Sequence, residues 1–355
     1  MMTTREYFTF EDPTVIMTTP DNITNETTGS SVTSSSSRGA SFYFQCAVVI
    51  IGVVGMAANG LVLYALVVSK EHKRQMLIFN QNLLDIVSCL GLSIMYGTRM
   101  GNIHLDGMHG YLLCLTVLSE GPGWGPMLAS VLNLGAITTE RYLKIVHSAL
   151  ANKILHNWMI YLAMAFSWIG GLSVAVAVTI STSDVVNGIC YTFRFWKSRS
   201  AQTAYIIWYF LSFVVIILLI FIILYWRILM AIRHQARVMA SHNAAGSTAA
   251  HSHSTQDHRI QVNVIKTMML VSTLFALTWT PLQLYYFLGN VYSAKLFRDN
   301  VFSATVFLAY LNPCTNPFIY ATKFEPVKRV LYNLIPWKKT AHPPVSVVVA
   351  SSNVH

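Results

Sequence analysis

Seven apolar runs dominate the chain, and each is long enough to cross a membrane as an α-helix. A helix needs roughly 20 apolar residues to cross the hydrocarbon core of a bilayer. Only 11% of the 355 residues are charged, whereas soluble domains carry about 25%. The sequence therefore predicts an all-α membrane protein, a seven-transmembrane helix bundle over 42–321, with runs at 42–69, 76–98, 111–145, 157–180, 202–232, 261–289 and 299–321.

Two stretches bear on how the runs are joined. The third run is interrupted by SEGPGWGP, residues 119–126. Proline and glycine are tolerated in spanning helices when neighbouring groups satisfy the freed backbone, so one kinked helix is expected there. Between the fifth and sixth runs, residues 233–260 are rich in Ser, Ala and His, which predicts a solvated linker.

The basic residues between the runs indicate the orientation, because cytoplasmic loops carry an excess of Lys and Arg. Lys70, Lys73 and Arg74 lie in the first loop, and further basic residues follow the last run. This pattern predicts a multi-pass plasma-membrane protein with its N-terminus outside. The formal charge of +10 does not indicate nucleic acid, because the basic residues lie in short pieces and do not cluster on one soluble face.

The segments outside the bundle differ in composition. Residues 1–41 are polar and rich in Ser and Thr, which predicts a disordered extracellular segment with glycosylation sequons at Asn22 and Asn25. Residues 322–336 have an amphipathic pattern with basic residues, which predicts a short helix on the cytoplasmic membrane surface. A disordered tail is expected at 337–355.

Two of the five cysteines are candidates for a disulfide. Cys114 lies at the outer end of the third run, and Cys190 lies in the loop VVNGICYTF. In the predicted orientation both face an oxidising compartment, where a disulfide persists. The bond would hold the long loop over the mouth of the bundle; the alternative is two unrelated free thiols.

Polar side chains also occur within the runs, where ionisable residues are rare and mark function. The second run contains Asp85, and the other candidates at comparable depth are Asn59, Ser130, Asn133, Asn312 and Asn316. A carboxylate among hydroxyl and amide oxygens suits a small hard cation such as sodium, or a proton. The same groups could form hydrogen bonds between helices, and the residue types leave both interpretations open.

The third run closes on an adjacent acid–base pair, Glu140 and Arg141. In a continuous helix this pair lies about 40 Å from Cys114, which is the thickness of a bilayer with its interfaces. The pair therefore belongs at the inner rim. An arginine there either exchanges partners or simply extends toward the interface.

Short motifs recur in order along the runs: ANGLVLYAL, NQNLLD, SVLNLGAITTERY, Trp168, TWTP (278–281) and NPFIY (316–320). With these motifs the chain resembles a rhodopsin-like (class A) G-protein-coupled receptor over nearly all of 42–335. The third and seventh runs are most similar to those of neuropeptide receptors of the galanin or allatostatin type.

The resemblance implies roles for the matching positions. Arg141 would be held by Glu140 at rest and turn toward a G protein on activation, while Pro281 would kink the sixth helix. The implied switch comprises Glu140, Arg141, Tyr142, Tyr225, Phe275, Trp279, Pro281, Asn316, Pro317 and Tyr320. The only cofactor expected is an allosteric sodium ion at Asp85, Ser130, Asn312 and Asn316.

Some positions depart from the family pattern. Ile217 stands where members commonly have proline, which puts the bulge of the fifth helix in doubt. Gln261 stands where some members place an acid opposite Arg141, which predicts a weaker lock and raised basal signalling. Gly123 and Tyr310 occupy the places of the amine-receptor aspartate and the retinal-binding lysine.

Without the amine-receptor aspartate and the retinal-binding lysine, the expected ligand site is an aromatic outer cavity with one carboxylate. Such a cavity suits a peptide with a basic or amidated end. Its predicted lining is Glu120, Trp124, Trp279, Gln283, Tyr286, Phe307 and Tyr310. The expected partners are an extracellular peptide, a heterotrimeric G protein, arrestin, receptor kinases and the lipid bilayer. The alternatives are a chemosensory receptor for a small molecule and a transporter or channel. No nucleophile–base arrangement or metal-ligand spacing indicates an enzyme.

Overall fold

The structure is a computed structural model that describes residues 31–101, 103–244, 251–291 and 299–334. Its helices are α1 (Ser31–Val68), α2 (Met76–Met100), α3 (Gly107–Leu113), α4 (Gly121–Val146), α5 (Ser148–Ile154), α6 (Asn157–Thr182), α7 (Arg199–Phe210), α8 (Ile216–Ala244), α9 (His251–Val291), α10 (Asp299–Tyr310), α11 (Asn312–Lys323) and α12 (Glu325–Leu334). A 3₁₀ turn, Glu71–Lys73, joins the first two helices, and two strands, β1 (Asp184–Val186) and β2 (Ile189–Tyr191), precede α7.

These elements form seven spans, which confirms the predicted all-α bundle. The first, second, fourth and sixth spans are α1, α2, α6 and α9; the third is α3 with α4, the fifth α7 with α8, and the seventh α10 with α11. Within the described ranges, five helical segments are long and apolar enough to cross a membrane unaided: Phe42–Val68, Met76–Met100, Asn157–Thr182, Arg199–Val238 and Val262–Asn290. The third and seventh spans are not among these segments, whereas the fifth, although it comprises α7 and α8, is continuous from Arg199 to Val238.

The third span is broken, where the sequence predicts one kinked helix. A π-helical turn, Cys114–Leu118, ends at Ser119, whose ψ of 161° is extended, and α4 starts at Gly121. Pro122 lies in the first turn of α4, where its missing N–H costs no helical hydrogen bond. The break is therefore a helix end followed by a new helix start.

The fifth span contains a bulge although it lacks the proline at position 217. A π-helical turn, Leu211–Val215, lies between α7 and α8, and buried Ile217 is the second residue of α8. Such turns insert an extra residue into an otherwise regular helix. Proline is therefore not needed for the bulge in this chain.

The helices extend beyond their predicted ends. The predicted linker, 233–260, is largely helical, because α8 continues to Ala244 and α9 starts at His251. The first helix starts at Ser31, so 31–41 are helical where the sequence predicts disorder. Adding residues to an existing helix costs far less than nucleating one. The sequons at Asn22 and Asn25 and the tail at 337–355 lie outside the described residues.

The predicted amphipathic helix is present as α12. Its buried side chain Val327, together with partly buried Val330 and Leu331, packs against the hydrophobic core of the bundle. Phe324, which has extended backbone, interrupts the helix and separates α12 from the seventh span.

The outer loop before the fifth span is a β-hairpin held by a disulfide. Strands β1 and β2 pair antiparallel around Asn187 and Gly188, both with positive φ, as a two-residue hairpin turn requires. Cys190 bonds to Cys114 of the third span, which confirms the predicted disulfide. The backbone N–H of Leu105 also donates to the Gly188 carbonyl at 2.9 Å, so the hairpin is tied to the loop before the third span.

Glycines allow the third span to approach its neighbours closely. A Cβ on Gly171 of the fourth span would lie 2.3 Å from the backbone nitrogen of Ala129, and one on Gly91 of the second span 2.6 Å from the Pro122 carbonyl oxygen. Small residues at such crossings let helices associate where no hydrophobic effect drives them together.

We expect Gly171→Ala to destabilise the protein by about 1–3 kcal/mol, because the methyl group meets backbone that cannot move aside. The measurement is the melting temperature of the purified protein in detergent. Gly135→Ala in the third span is the control, since a Cβ there meets nothing within 4 Å. Equal melting temperatures for the two variants would contradict the close crossing.

Candidate functional site

A cavity of about 100 Å³ lies in the outer half of the bundle between the third, fourth, fifth and sixth spans. Most of its surface is aromatic or aliphatic, and the polar groups are few. Its lining is Glu120, Gly121, Trp124, Leu128, Ala175, Val178, Thr179, Phe193, Tyr205, Ile206, Tyr209, Phe210, Gln283 and Tyr286. The hairpin loop contributes Phe193, and the other lining residues come from the spans.

The cavity is displaced from the predicted one. Of the predicted lining residues, Glu120, Trp124, Gln283 and Tyr286 line it. Trp279, Phe307 and Tyr310 do not. Trp124 covers two of them, because its ring centroid lies 5.2 Å from that of Trp279 and 5.8 Å from that of Tyr310. Phe307 packs near Phe44 of the first span, with the centroids 6.5 Å apart.

The carboxylate of Glu120 is held by Arg99 and Trp124. Arg99, at the outer end of the second span, lies 3.7 Å from it, and the Trp124 indole N–H donates to it at 3.1 Å. The Arg99 guanidinium also lies over the Tyr96 ring, 5.3 Å from the centroid. The sequence predicts Glu120 as a lone carboxylate in the cavity; the partner that it does not predict is Arg99, whose place in the last turn of the second span is the available signal.

Phe193 is the second residue that sequence analysis missed. Its φ of 64° lies in the left-handed region, which is uncommon for a bulky side chain. Its carbonyl accepts from the Trp196 indole at 3.0 Å, and its ring lies 6.2 Å from that of Tyr286. The Asn187-Gly188 pair predicts the hairpin that positions it, and this signal was available in the sequence.

Below the cavity, aromatic rings continue along the fifth and sixth spans. The Trp279 ring stacks with Phe275 at 5.9 Å, and Phe275 meets Phe221 at 6.3 Å. Phe221 in turn lies 6.3 Å from Tyr225. Together with Trp124 these rings form a continuous series, called here the aromatic column: Trp124, Trp279, Phe275, Phe221 and Tyr225.

The inner end of the aromatic column is fixed by hydrogen bonds. The Tyr225 hydroxyl lies 2.8 Å from Ser272 Oγ of the sixth span and 3.1 Å from Thr138 Oγ1 of the third. Tyr320 is fully buried, and its hydroxyl has no hydrogen-bond partner among the described residues. In this arrangement Tyr225 therefore joins three spans and is not hydrogen-bonded to Tyr320.

Arg141 at the inner rim is held by an ion pair and an amide. Its guanidinium lies 3.4 Å from Glu140 Oε2 and donates to Gln75 Oε1 at the start of the second span. Lys144 lies 2.5 Å from the other oxygen of Glu140 and competes for that carboxylate. The neighbouring Tyr142 hydroxyl lies 3.1 Å from His147 Nε2.

Gln75 is a partner of Arg141 that the sequence pattern does not predict, since the family resemblance points only to position 261. Gln261 lies within α9, but its side chain is outside the described set. The prediction of a weak lock, which rested on that position, therefore stays a prediction. We call the contacts of Arg141 with Glu140 and Gln75 the inner latch.

A polar cluster surrounds Asp85 in the centre of the bundle. Its Oδ2 accepts from Asn316 Nδ2 at 2.7 Å, and its Oδ1 accepts from Ser130 Oγ at 3.1 Å and from Gln81 Nε2 at 3.5 Å. Asn312 instead accepts from Thr278 Oγ1 at 3.5 Å. The structure thus brings three of the four predicted sodium ligands together and adds Gln81.

Sequence comparison places the bundle in a known family. A family model described as "7 transmembrane receptor (rhodopsin family)" matches residues 58–320. The chain belongs to this family of seven-transmembrane receptors. Squid rhodopsin has a similar fold, with a TM-score of 0.70 over 86% of this chain and 88% of that one, at 18% identity.

The chain is also similar to several receptor sequences. It is 22% identical to "Rhodopsin, GQ-coupled" of Mizuhopecten yessoensis over 82% of this chain and 58% of that protein. It is 26% identical to the Substance-K receptor of Mesocricetus auratus over 59% and 55%, and 25% identical to the Melatonin receptor type 1C of Gallus gallus over 76% and 74%. The chain thus spans little more than half the length of the first two relatives. These relatives are receptors, in agreement with the prediction that this chain is not an enzyme.

The sodium ion that the rhodopsin-family resemblance implies does not fit the cluster around Asp85. A hard cation takes oxygen ligands, whereas the group that contacts both Ser130 and the Asp85 carboxylate is the NH₂ end of Gln81. The donor set of this receptor suits hydrogen bonding between helices, which was the other interpretation of these residues.

Proposed function

We propose that this rhodopsin-family receptor lies in the plasma membrane, binds an extracellular peptide and activates heterotrimeric G proteins by outward movement of the inner end of the sixth span. The aromatic column carries this proposal. It connects the ligand cavity at Trp124 with Tyr225 at the inner end, and it includes two residues of the sixth span, Trp279 and Phe275.

The column gives a ligand a means of changing the inner face. A ligand that displaces Trp124 removes a contact of Trp279, and a ligand acts only by binding one arrangement better than the other. Pro281 lies inside α9 two residues beyond Trp279, and proline removes a helical hydrogen bond. The sixth span therefore bends most easily in the turn that ends at Pro281 and contains Trp279.

The inner latch would resist this movement at rest. Arg141 is held to Glu140 and Gln75, and Tyr225 is held to Ser272 and Thr138. When the sixth span moves outward, the Tyr225–Ser272 bond breaks. Arg141 can then turn from the latch toward a G protein, and arrestin and receptor kinases would meet the same inner face.

The disulfide supports an extracellular position for the cavity. Cys114–Cys190 lies on the same side of the bundle as the cavity and holds the hairpin that carries Phe193. Disulfides persist in oxidising compartments. The opposite side, with the inner latch and α12, is then cytoplasmic.

The central test is Arg141→Ala. Ligand binding should remain within about threefold of the unchanged receptor, because Arg141 lies at the far end of the bundle from the cavity. Ligand-stimulated GTP exchange on a co-expressed G protein should be abolished. Normal GTP exchange by this variant would contradict the proposal, and ligand-driven ion uptake into vesicles would favour a transporter.

The inner latch predicts opposite changes in basal GTP exchange for two variants. Gln75→Leu removes one partner of Arg141, so basal GTP exchange should rise severalfold. Lys144→Ala leaves Glu140 to Arg141 alone, so basal GTP exchange should fall below that of the unchanged receptor. Removing a partner of a charged hydrogen bond costs about 1.5–3 kcal/mol, which is enough to shift the populations measurably.

The two variants control one another, since both remove a polar group beside the same ion pair. Equal amounts of receptor at the cell surface are required for the comparison. A rise in basal exchange with both variants would indicate general loosening and not a latch.

The small volume of the cavity supports a peptide that inserts only one of its ends. Its volume of about 100 Å³ is below the roughly 300–1,000 Å³ of sites that enclose a whole drug-sized ligand. It therefore suits one side chain or a chain end, with the rest of the ligand lying outside. The similarity to the Substance-K receptor supports a peptide. The similarity to the Melatonin receptor type 1C supports a small molecule as the second candidate.

The Arg99–Glu120 pair generates a prediction about the charge of that end. A basic or amidated end competes with Arg99 for Glu120, so Glu120→Gln should weaken binding about tenfold and Arg99→Gln should strengthen it. A hydrogen bond to a charged group contributes about 1.5–3 kcal/mol, and about 1.4 kcal/mol corresponds to tenfold in affinity.

The measurement is displacement binding with a peptide and its matched analogues, one amidated and one ending in a free carboxylate. The carboxylate analogue should show the reverse order of the two variants. If both variants weaken the binding of both analogues equally, the Arg99–Glu120 pair only positions Trp124 and does not determine which ligand end binds.

A further inference from the structure

A chain of side-chain hydrogen bonds runs from the fourth span to Asp85. The Trp168 indole N–H donates to Asn80 Oδ1 at 3.0 Å, and Asn80 Nδ2 donates to Asn133 Oδ1 at 2.9 Å. An indole nitrogen donates and cannot accept. The oxygen of Asn80 must therefore face Trp168, and its NH₂ must face Asn133.

The orientation of the Asn133 amide in turn sets the orientation of the Gln81 amide. Asn133 presents its oxygen to Asn80, so its Nδ2 donates to the Leu77 carbonyl at 2.9 Å and to Gln81 Oε1 at 2.8 Å. The NH₂ of Gln81 then faces Ser130 Oγ and, at 3.5 Å, Asp85 Oδ1. Turning the Gln81 amide over would set oxygen against carboxylate and NH₂ against NH₂.

Gln81 therefore presents N–H bonds at the place where a cation would need oxygen. A sodium ion bound to Asp85 and Ser130 would have to touch the two oxygens that the Gln81 NH₂ already contacts. The NH₂ group presents partial positive charge to these oxygens, where a cation would present full positive charge. Asp85 and Gln81 are 0% and 1% exposed, so bulk water does not screen the contact.

Three buried amide oxygens have no hydrogen-bond partner among the described residues: Oδ1 of Asn59, of Asn82 and of Asn316. All three are uncharged, whereas the strongest ligand available to a cation is the Asp85 carboxylate. A cation beside these amides would still be kept from Asp85 Oδ1 by Gln81.

We propose that the Gln81 amide takes the place of a sodium ion beside Asp85, so that the resting receptor is stabilised without sodium. Gln81 is a positioning residue: it joins Asp85 and Ser130 to the Asn133–Asn80–Trp168 chain. The proposal does not depend on the ligand or on G-protein activation, and its test uses neither.

The test compares the melting temperature of the purified full-length receptor in sodium chloride and in choline chloride at equal ionic strength. The unchanged receptor should melt at the same temperature in both salts. Gln81→Leu should melt about 2–4 °C higher in sodium, because a ligand that binds only the folded state stabilises it. Adding Asp85→Asn to Gln81→Leu should abolish that difference.

Gln202→Leu is the matched control, since Gln202 is another buried glutamine, in α7 of the fifth span. It should show no difference between the salts. A sodium-specific rise in the melting temperature of the unchanged receptor would overturn the proposal. Equal melting temperatures of folded Gln81→Leu in both salts would also overturn it.

A second variant covers the case in which Gln81→Leu does not fold. Gln81→Glu keeps an oxygen for Asn133 Nδ2 and sets a second carboxylate beside Asp85, so a cation should be required there. Its melting temperature should rise more in sodium than that of the unchanged receptor. Equal melting temperatures in the two salts for this variant as well would contradict the replacement of sodium by Gln81.

Discussion

The hydrogen bonds that converge on Asp85 are the interaction on which the rest of the bundle depends. Inside a bilayer the backbone groups are satisfied within each helix, so helices gain little from burial and associate through close packing and polar side chains. Asp85, Ser130 and Asn316 join the second, third and seventh spans. Gln81 and Asn133 extend this connection toward the fourth.

The third span organises both ends of the molecule around that centre. Its outer end carries Cys114 in the disulfide and Glu120 at the cavity, and its inner end carries Arg141 in the inner latch. The break at Ser119 and Glu120 lets the outer section leave the line of α4. Trp124, one turn into α4, can then cover Trp279. A change in the cavity reaches the inner face along the aromatic column, which runs beside the third span.

Much of the site could be predicted because its residues are unusual for their surroundings. A carboxylate within the second apolar run, an acid–base pair at the inner end of the third and two cysteines on the outer side each indicate a role from residue type and depth alone. Phe193, Arg99, Gln75 and Gln81 were missed for a different reason. Each is ordinary in its segment, and its role comes from a partner that is distant in sequence, such as Arg141 for Gln75. Trp279 and Tyr310 were predicted to line the cavity because the sequence shows on which face of a helix a ring lies. It does not show that another ring covers it.

The sequence by itself determined the seven spans and the family, because the apolar runs and the polar positions within them are local properties of the chain. It also determined that a disulfide could hold the outer loop. Only the tertiary structure decided where the cavity lies, which partners share Glu120 and Glu140, and which way the Gln81 amide faces. These outcomes depend on side chains from several helices competing for the same few partners. The direction of the hydrogen bonds at Asp85 is set by an indole on the fourth span, which no pattern within the second span could reveal.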